Sequence, residues 1–346
     1  MDDLVVAGAT AVVIGRDVLN AEAVLGTADP QFVAVVSSAA AGEVADTVAA
    51  GLRGTRRSVG RVLIPDGEAA KTLATVEEVV VALNDLGMTR GGLIVAVGGG
   101  STTDLAGFVA ATYLRGVSTH YVTTTLLGAV DAAIGGKTGV NVGGKNLVGV
   151  FRHPDRVVID VAVLERLPDH LKREGCAEAL KAGFVADPSL VALLERDGID
   201  ADLELVVRRA VAVKAGIVSR DFAETGERAV LNYGHTIGHA VEVVAGLSHG
   251  AAVAVGMVAA ARASEIEAGF DRRSRHDAAI SRLGLPVACP PVDPRRIEAM
   301  MAFDKKRDEG GLRMVLLEDF GRPKVTHVGA ATVRAALDAV GIRRHP

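Results

Sequence analysis

Tryptophan is absent from this sequence, and aromatic residues make up only 3% of its 346 positions. Alanine, valine, leucine and glycine must therefore fill the core, which favours layers of helix and sheet in close contact. Cysteine is almost as scarce, since Cys176 and Cys289 are the only two. Two cysteines are too few for a disulfide framework, and they are compatible with a reducing cytoplasm.

An excess of basic residues is also missing. Lys and Arg total 38 against 42 Asp and Glu, for a formal net charge of −4, which argues against a nucleic-acid partner. The N-terminus lacks the positive region and long apolar run of a signal peptide. The uncharged stretch 243–261 contains a turn at Ser248, His249 and Gly250. We therefore interpret that stretch as parts of two buried helices, and we expect a cytoplasmic protein without a membrane partner.

The length and the 49% hydrophobic content leave ample material for two domains. Strand-like and helix-like runs alternate in the first half, which predicts a doubly wound, mostly parallel sheet with helices on both faces. The second half, from 167 to 302, reads as successive helices, followed by a strand at 312–318 and a helix at 331–340. We predict an α/β domain over residues 1–155 and a mainly helical domain over 156–346. The predicted strands of the first half are 32–37, 61–64, 93–97 and 157–160, and its predicted helices are 38–52 and 72–86.

A glycine turn follows the most apolar strand. Gly98, Gly99 and Gly100 lead from strand 93–97 into a helix. Glycines in such a turn allow close approach of a pyrophosphate, and the helix N-terminus presents free N–H groups to it. Thr103 stands where the usual dinucleotide pattern has its third glycine. Taken alone, the turn is equally well a tight strand–helix connection.

A second turn, at residues 66–71, also follows a strand and feeds a helix. Ligands of doubly wound sheets bind beyond the carboxyl ends of the strands. Glu68 is suited to accept ribose hydroxyls, and Lys71 is suited to meet a phosphate. The alternative interpretation is a solvated turn.

Histidines and a carboxylate suggest a metal site. The spacing of Asn232, His235 and His239 places them on one face of a predicted helix, and His249 follows ten residues after His239. Upstream, Glu178 precedes Lys181 by one helical turn. Two imidazoles and a carboxylate form a common catalytic zinc set. Thr236 stands where a zincin protease needs its glutamate, which disfavours a metalloprotease, and structural histidines remain the alternative.

Together these motifs resemble dehydroquinate synthase, of the sugar-phosphate cyclase superfamily. The resemblance covers residues 60–320 in unbroken order, and such a set is far more specific than any single motif. The segments that carry it are 98–104, 106–116, 124–131, 135–141, 144–146, 177–181, 231–239, 249–250 and 304–306.

The resemblance implies an N-terminal NAD-binding α/β domain, a helical C-terminal domain, and an active site between them. It assigns a zinc or cobalt ion to Glu178, His235 and His249. It assigns substrate binding and catalysis to Arg115, Asp131, Lys137, Asn146, Lys181, Lys214, Arg228, Asn232, His239 and one of Lys305 or Lys306, of which we select Lys305. It assigns NAD contacts to Asp66, Glu68, Lys71, Gly99, Gly100, Ser101, Thr102, Thr103, Asp104, Thr124, Thr125, Lys137 and Lys145.

The implied activity is 3-dehydroquinate synthesis in the shikimate pathway, which leads to aromatic amino acids. The substrate would be an anionic sugar phosphate, 3-deoxy-D-arabino-heptulosonate 7-phosphate, whose charges the basic residues suit. A ring hydroxyl is transiently oxidised by NAD, phosphate is eliminated, hydride returns to the same carbon, and an aldol addition closes the carbocycle. The enzyme would be a phosphate-eliminating lyase, and we expect a homodimer.

Two alternatives stay open. An amino analogue of the same acid, or another sugar phosphate of secondary metabolism, would use the same chemistry. Cyclases of neutral sugars should lose part of the carboxylate-binding set, yet Lys214, Arg228 and His239 are all present. Metal-dependent alcohol and glycerol dehydrogenases share the two-domain plan, but the Glu178–Lys181 pair and the many lysines speak against them. A binding protein without chemistry is disfavoured because no catalytic position is missing.

Overall fold

The computed structural model describes residues 4–305 and 312–343, without the side chains of 302–305. Its strands are β1 (Leu4–Val6), β2 (Thr10–Gly15), β3 (Phe32–Ser38), β4 (Ser58–Ile64), β5 (Leu93–Gly98), β6 (Ser118–Thr123), β7 (Lys137–Val140), β8 (Val148–Phe151), β9 (Arg156–Asp160), β10 (Arg313–Asp319) and β11 (Arg322–His327). Its α-helices are α1 (Ala21–Leu25), α2 (Gly42–Arg53), α3 (Leu73–Asp85), α4 (Gly100–Thr112), α5 (Val161–Glu165), α6 (Asp169–Ala186), α7 (Pro188–Asp197), α8 (Leu203–Arg220), α9 (His235–Ala245), α10 (His249–Glu267), α11 (Arg273–Arg282), α12 (Pro294–Lys305) and α13 (Ala330–Ala339).

These elements form two compact units. Unit 1 comprises the described residues through Pro168 together with Leu203–Ala223, and unit 2 comprises Asp169–Asp202 and the described residues from Glu224 onward. Strand β9 therefore lies in unit 1, where it pairs with β2 and β6. Helix α8 also belongs to unit 1, and it packs on β1, β2 and α5.

Unit 1 is built on a seven-stranded sheet with the order β1-β2-β9-β6-β5-β3-β4. All neighbouring strands are parallel except β1 and β2. The α/β fold with a parallel sheet is thus confirmed, and so are the four strands predicted in the first half. Strands β1, β2 and β6 of this sheet were not predicted, and neither was the separate antiparallel hairpin of β7 and β8.

Both faces of this sheet are covered by helices, which explains the apolar strands. Every residue of β5 is buried, as expected for a central strand of a parallel sheet. On β6, Val122 packs in a cluster with residues of α1 and α2. Its neighbour Tyr121 points to the other face, where its hydroxyl lies so close to Gly107 of α4 that a side chain there would clash.

Unit 2 is mainly helical, with a small antiparallel hairpin of β10 and β11. Helix α10 lies at its centre and contacts α6, α9, α11 and α13. Gly256 lets α10 approach α9, because a Cβ atom there would lie 1.9 Å from the Gly234 carbonyl oxygen. The uncharged stretch 243–261 is divided between α9 and α10, as predicted. Within 4–305 and 312–343, no helix combines the length and the apolar character that crossing a membrane requires.

Candidate active site

Three side chains from three helices of unit 2 converge on one point. Glu178 lies within α6, whereas His235 and His249 are the first residues of α9 and α10. The Oε1 atom of Glu178 lies 3.4 Å from Nε2 of His235 and 3.1 Å from Nε2 of His249. One donor atom from each side chain lies within 4.8 Å of the others. The structure therefore brings together the three residues to which the resemblance assigns the metal.

This donor set fits a zinc-like divalent ion. Zinc binds nitrogen and oxygen donors at about 2.0–2.2 Å in tetrahedral geometry, which places neighbouring donors about 3.3 Å apart. The distances of 3.4 and 3.1 Å from Glu178 match that spacing. Three protein ligands leave one tetrahedral position for water or substrate, as in catalytic zinc sites.

The other ring nitrogen of each histidine faces an oxygen atom. Nδ1 of His235 lies 3.2 Å from the carbonyl oxygen of Tyr233, and Nδ1 of His249 lies 3.2 Å from Oε2 of Glu242. A carbonyl or an ionised carboxylate can only accept a hydrogen bond, so Nδ1 carries a proton in both rings. This leaves Nε2 as the atom that is directed at Glu178 in each ring.

Burial and charge act on these groups in opposite directions. Burial, aided by the Lys181 ammonium, lowers the pKa of His235 to about 3, so this ring is neutral. Burial also lowers the pKa of His249, but hydrogen bonds to Glu178 and Glu242 outweigh it and raise the pKa to about 10. A metal ion would therefore displace the Nε2 proton of this ring when it binds. Burial alone would raise the pKa of Glu178, yet Lys181 and the two histidines hold it well below its usual range. The carboxylate is therefore ionised, as a metal ligand must be.

Lys181 completes this cluster. It follows Glu178 by one turn of α6, and its ammonium forms an ion pair with the Oε2 atom of Glu178. Lys181 is 3% exposed and Glu178 is 2% exposed. Buried charges of opposite sign stabilise each other only in close contact, so the pair explains how both remain charged inside unit 2.

Three other candidates of unit 2 lie on α9 and on the 3₁₀ turn that precedes it. The prediction that Asn232, His235 and His239 share one helical face is wrong for Asn232. Gly234 adopts a left-handed conformation with φ of 81° at the start of α9, and Asn232 ends a separate 3₁₀ turn. Only His235 and His239 share α9, with ring centroids 5.0 Å apart. Arg228 lies on the same 3₁₀ turn as Asn232 and is buried.

In unit 1, the candidate NAD contacts other than Lys137 and Lys145 follow the carboxyl ends of β4, β5 and β6. Strand β5 ends at Gly98 and α4 begins at Gly100, with Gly99 as the N-cap and no capping side chain. Uncapped N–H groups at a helix N-terminus are suited to a phosphate. Thr124 lies next to this turn because its N–H donates to the Gly98 carbonyl. The residues of this turn and its surroundings are Gly99, Gly100, Ser101, Thr102, Thr103, Thr124 and Thr125.

The turn after β4 joins this group through a polar network. The ammonium of Lys71 lies 2.7 Å from Oδ2 of Asp104 and also donates to Oδ1 of Asn146. Glu68 accepts from the Ser101 hydroxyl at 3.3 Å and from the Asn141 amide at 2.9 Å. The exposed Glu68 carboxylate is therefore held beside the glycine turn.

The pKa values of two carboxylates at this edge are shifted by their surroundings. Burial raises the pKa of Asp104, and the ammonium of Lys71 offsets part of that effect. A hydrogen bond from Ser38 and another from the N–H of Ala40 lower the pKa of Asp66. Asp66 therefore supports the connection after β3, whereas Asp104 balances the charge of Lys71.

A second polar contact of unit 1 joins Asp131 and Lys214. Asp131 lies on a single π-helical turn, Gly128–Ala132. The buried Lys214 of α8 donates to the carbonyl and to the Oδ1 atom of Asp131, both at 2.6 Å. The structure thus joins two candidates that are 83 residues apart in sequence.

The other cationic candidates are exposed or fall outside the description. Arg115 has a left-handed conformation with φ of 62° and is exposed. Lys137 begins β7, and Lys145 lies in the loop before β8; both are exposed. Lys305 is the last residue of α12; its side chain and all of Lys306 lie outside the described part.

Two acidic residues that contact predicted site residues were missed. Glu242 contacts His249, and Glu224 accepts from the Asn232 amide at 2.7 Å. A signal for Glu242 existed, since it follows His239 by three residues on the same helix. No comparable signal pointed to Glu224.

Family models match most of the chain. The model described as 3-dehydroquinate synthase N-terminal matches residues 61–174, and the one described as 3-dehydroquinate synthase C-terminal matches residues 175–307. The chain is 41% identical over 351 residues to 3-dehydroquinate synthase of Nocardia farcinica, covering 97% of this chain and 94% of that protein.

Solved cyclases share the fold and carry the two cofactors. The 2-epi-5-epi-valiolone synthase of Streptomyces hygroscopicus, with NAD⁺ and Zn²⁺ bound, has a TM-score of 0.88 at 29% identity over 98% of each chain. A 2-deoxy-scyllo-inosose synthase complexed with carbaglucose-6-phosphate, NAD⁺ and Co²⁺ has a TM-score of 0.86 at 28% identity, covering 95% of this chain and 96% of that one. A butanol dehydrogenase of Thermotoga maritima, at 17% identity and a TM-score of 0.68, shares the fold alone.

Proposed function

This chain belongs to the 3-dehydroquinate synthase family, and we propose that it converts 3-deoxy-D-arabino-heptulosonate 7-phosphate to 3-dehydroquinate and phosphate. It would act as a phosphate-eliminating lyase. The identity of 41% to a 3-dehydroquinate synthase, against 28–29% to the two cyclases of other sugars, supports the acid substrate.

The observation that carries the proposal is the cluster of Glu178, His235 and His249 with Lys181. It offers a three-ligand site for a divalent metal beside a buried ammonium. When bound, the metal would supply Lewis acidity toward a substrate oxygen, and NAD would supply a reversible acceptor for hydride.

The chain's own part in the reaction is to bind and orient an anionic substrate and to move its protons. Lys214 in unit 1 and Arg228 in unit 2 are 8% and 2% exposed. Cations so deeply buried are rare unless they are paired or functional. Charge-assisted hydrogen bonds from such groups would hold a carboxylate or phosphate more firmly than neutral donors would.

We assign proton movement to one residue near the proposed metal ligands, and the orientation of substrate and of Lys214 to others. His239, exposed on α9 with its ring 5.0 Å from that of His235, is our candidate for steering a proton. Asn232 and Asn146 would orient substrate hydroxyl groups. Asp131 keeps the Lys214 ammonium in a fixed position.

At the carboxyl edge of the sheet, the proposed NAD contacts divide by chemistry. The uncapped N–H groups at Gly100 and Ser101 suit the pyrophosphate. The Glu68 carboxylate suits a ribose hydroxyl, because it lies beside the same turn through its contact with Ser101. Four further cations are proposed to bind anionic groups of the substrate or the cofactor: Arg115, Lys137, Lys145 and Lys305.

A phosphate-release assay tests the proposal. With NAD far below the heptulosonate phosphate concentration, released phosphate should exceed total NAD many-fold, and the absorbance band of NADH should stay flat. The amino analogue of the substrate, assayed in parallel, separates the two acids. If NADH accumulates in proportion to the substrate consumed and no phosphate is released, the chain is instead a dehydrogenase. The homodimer and the cytoplasmic location stay predictions.

A further inference from the structure

The two histidines at the proposed metal site differ in what holds their outer nitrogens. Nδ1 of His235 meets a neutral backbone carbonyl, that of Tyr233. Nδ1 of His249 meets a carboxylate, that of Glu242, seven residues earlier in the chain. Carboxylates on the outer nitrogen of a ligating imidazole fix its tautomer and strengthen its donor atom.

The backbone of His249 is held by a different residue. Glu174 of α6 accepts hydrogen bonds from the Ser248 hydroxyl and, at 2.6 Å, from the Gly250 N–H. A Cβ atom at Gly250 would lie 2.7 Å from the Glu174 carbonyl oxygen, so α10 begins directly against α6. This contact sets the position of His249 relative to Glu178, but it does not set the rotation or tautomer of the ring.

The inner nitrogen of the ring faces Glu178, and the ring centroid lies 5.6 Å from that of His235 and 6.4 Å from that of His239. His249 is 23% exposed in its side chain, whereas the Glu178 side chain is 1% exposed and sits in a packed helix. A partner on the outer nitrogen adds what these contacts do not, because it fixes the tautomer that leaves Nε2 free for a metal. Glu242, 17% exposed in its side chain, is the residue that contacts that nitrogen.

We propose that Glu242 is a positioning residue, which holds Nδ1–H of His249 so that the Nε2 lone pair faces the metal. This inference rests on the proposed metal centre, and it assigns to Glu242 a share of the metal affinity. Glu242 does not touch the metal itself.

The experiment measures metal binding without substrate. Zinc affinity is determined by competition with a chelator for the full chain and for Glu242→Leu, which keeps the volume but removes the acceptor. Loss of such an outer partner typically weakens metal binding 10–100-fold, and we expect a loss in that range. Glu242→Gln keeps an acceptor oxygen without the charge, so its loss should be smaller.

Two controls separate a positioning role from a general structural one. Glu265→Gln removes another partly buried carboxylate of unit 2, which pairs with Arg262 and Arg273; its zinc affinity should equal that of the parent chain. The visible spectrum of the cobalt-loaded protein should change in Glu242→Leu and stay unchanged in Glu265→Gln. Thermal unfolding of the metal-free variants checks that each one folds.

The outcomes are distinct. Zinc binding as tight in Glu242→Leu as in the parent chain would overturn the inference, and so would equal losses in Glu242→Leu and Glu265→Gln. If Glu242→Leu fails to fold, Glu242→Gln decides the question by the same comparison. His249→Ala tests the underlying centre separately: undiminished zinc binding in that variant would refute the metal site itself.

Discussion

The ammonium of Lys71 lies 2.7 Å from the carboxylate of Asp104, and the lysine side chain is 2% exposed. Lys71 ends the short turn after β4, whereas Asp104 is the fifth residue of α4. The pair therefore joins the connection after β4 to helix α4. A buried charge that loses its partner is strongly destabilising, whereas a pair replaced as a whole often is not.

We therefore expect Asp104→Ala to lower the free energy of unfolding by about 3 kcal/mol. The double variant Lys71→Met with Asp104→Ala should recover part of this loss, because no unpaired ammonium remains. Urea unfolding of both variants beside the parent chain measures the difference. A double variant no more stable than Asp104→Ala would show that the pair does not carry the effect.

Lys214 should matter for turnover because it presents a buried ammonium next to Asp131. A charge-assisted hydrogen bond is worth about 1.5–3 kcal/mol, so Lys214→Ala should lower kcat/KM at least tenfold. Lys324→Ala, which removes an exposed lysine, is the matched control and should behave as the parent chain does. Equal kinetics in the two variants would exclude Lys214 from the substrate site.

The metal ligands can be tested by elemental analysis. His235→Ala removes one of three donors, so bound zinc should fall below one ion per chain and activity should be lost. His170→Ala, which removes an exposed histidine of α6, should keep full metal. Treatment of the parent chain with a chelator should abolish phosphate release, and added zinc or cobalt should restore it. A fully occupied His235→Ala variant is the result that contradicts the assignment.

Because of His276, the free energy of unfolding should decrease as the pH drops below the ordinary pKa of histidine. Burial lowers the pKa of this ring, and the neighbouring Asp277 only partly opposes the effect. Its Nε2 lies 3.0 Å from the Tyr233 hydroxyl, inside a cluster with Phe184. The unfolded chain takes up a proton below about pH 6.5 while the folded ring stays neutral, so acid favours unfolding.

The size of this effect is limited to one proton, about 1.4 kcal/mol per pH unit. Between pH 7 and pH 5, the parent chain should therefore lose more unfolding free energy than His276→Gln, which cannot titrate. Urea midpoints at several pH values measure both slopes. Parallel slopes in the two chains would show that His276 does not contribute to acid sensitivity.

The local pattern of apolar and polar residues predicted those strands and helices whose buried positions recur regularly along the chain. Strand β5 is apolar throughout because helices cover both of its faces, and that composition is visible in residues 93–98 without any structure. The glycine turn after β5 and the helical run of the second half were likewise readable, because turn chemistry and helical periodicity act over a few residues. The hairpin of β7 and β8 was not readable, since its strands have four residues each and are partly exposed.

The sequence by itself identified the candidates for the metal site, through the motifs that contain Glu178, His235 and His249. Only the tertiary structure decided that these three meet, because Glu178 and His249 are 71 residues apart and sequence separation does not report distance. It likewise decided that Leu203–Ala223 joins unit 1, where Lys214 reaches Asp131. Helical periodicity shows that α8 has a buried face, but which surface covers that face depends on the packing of the whole chain.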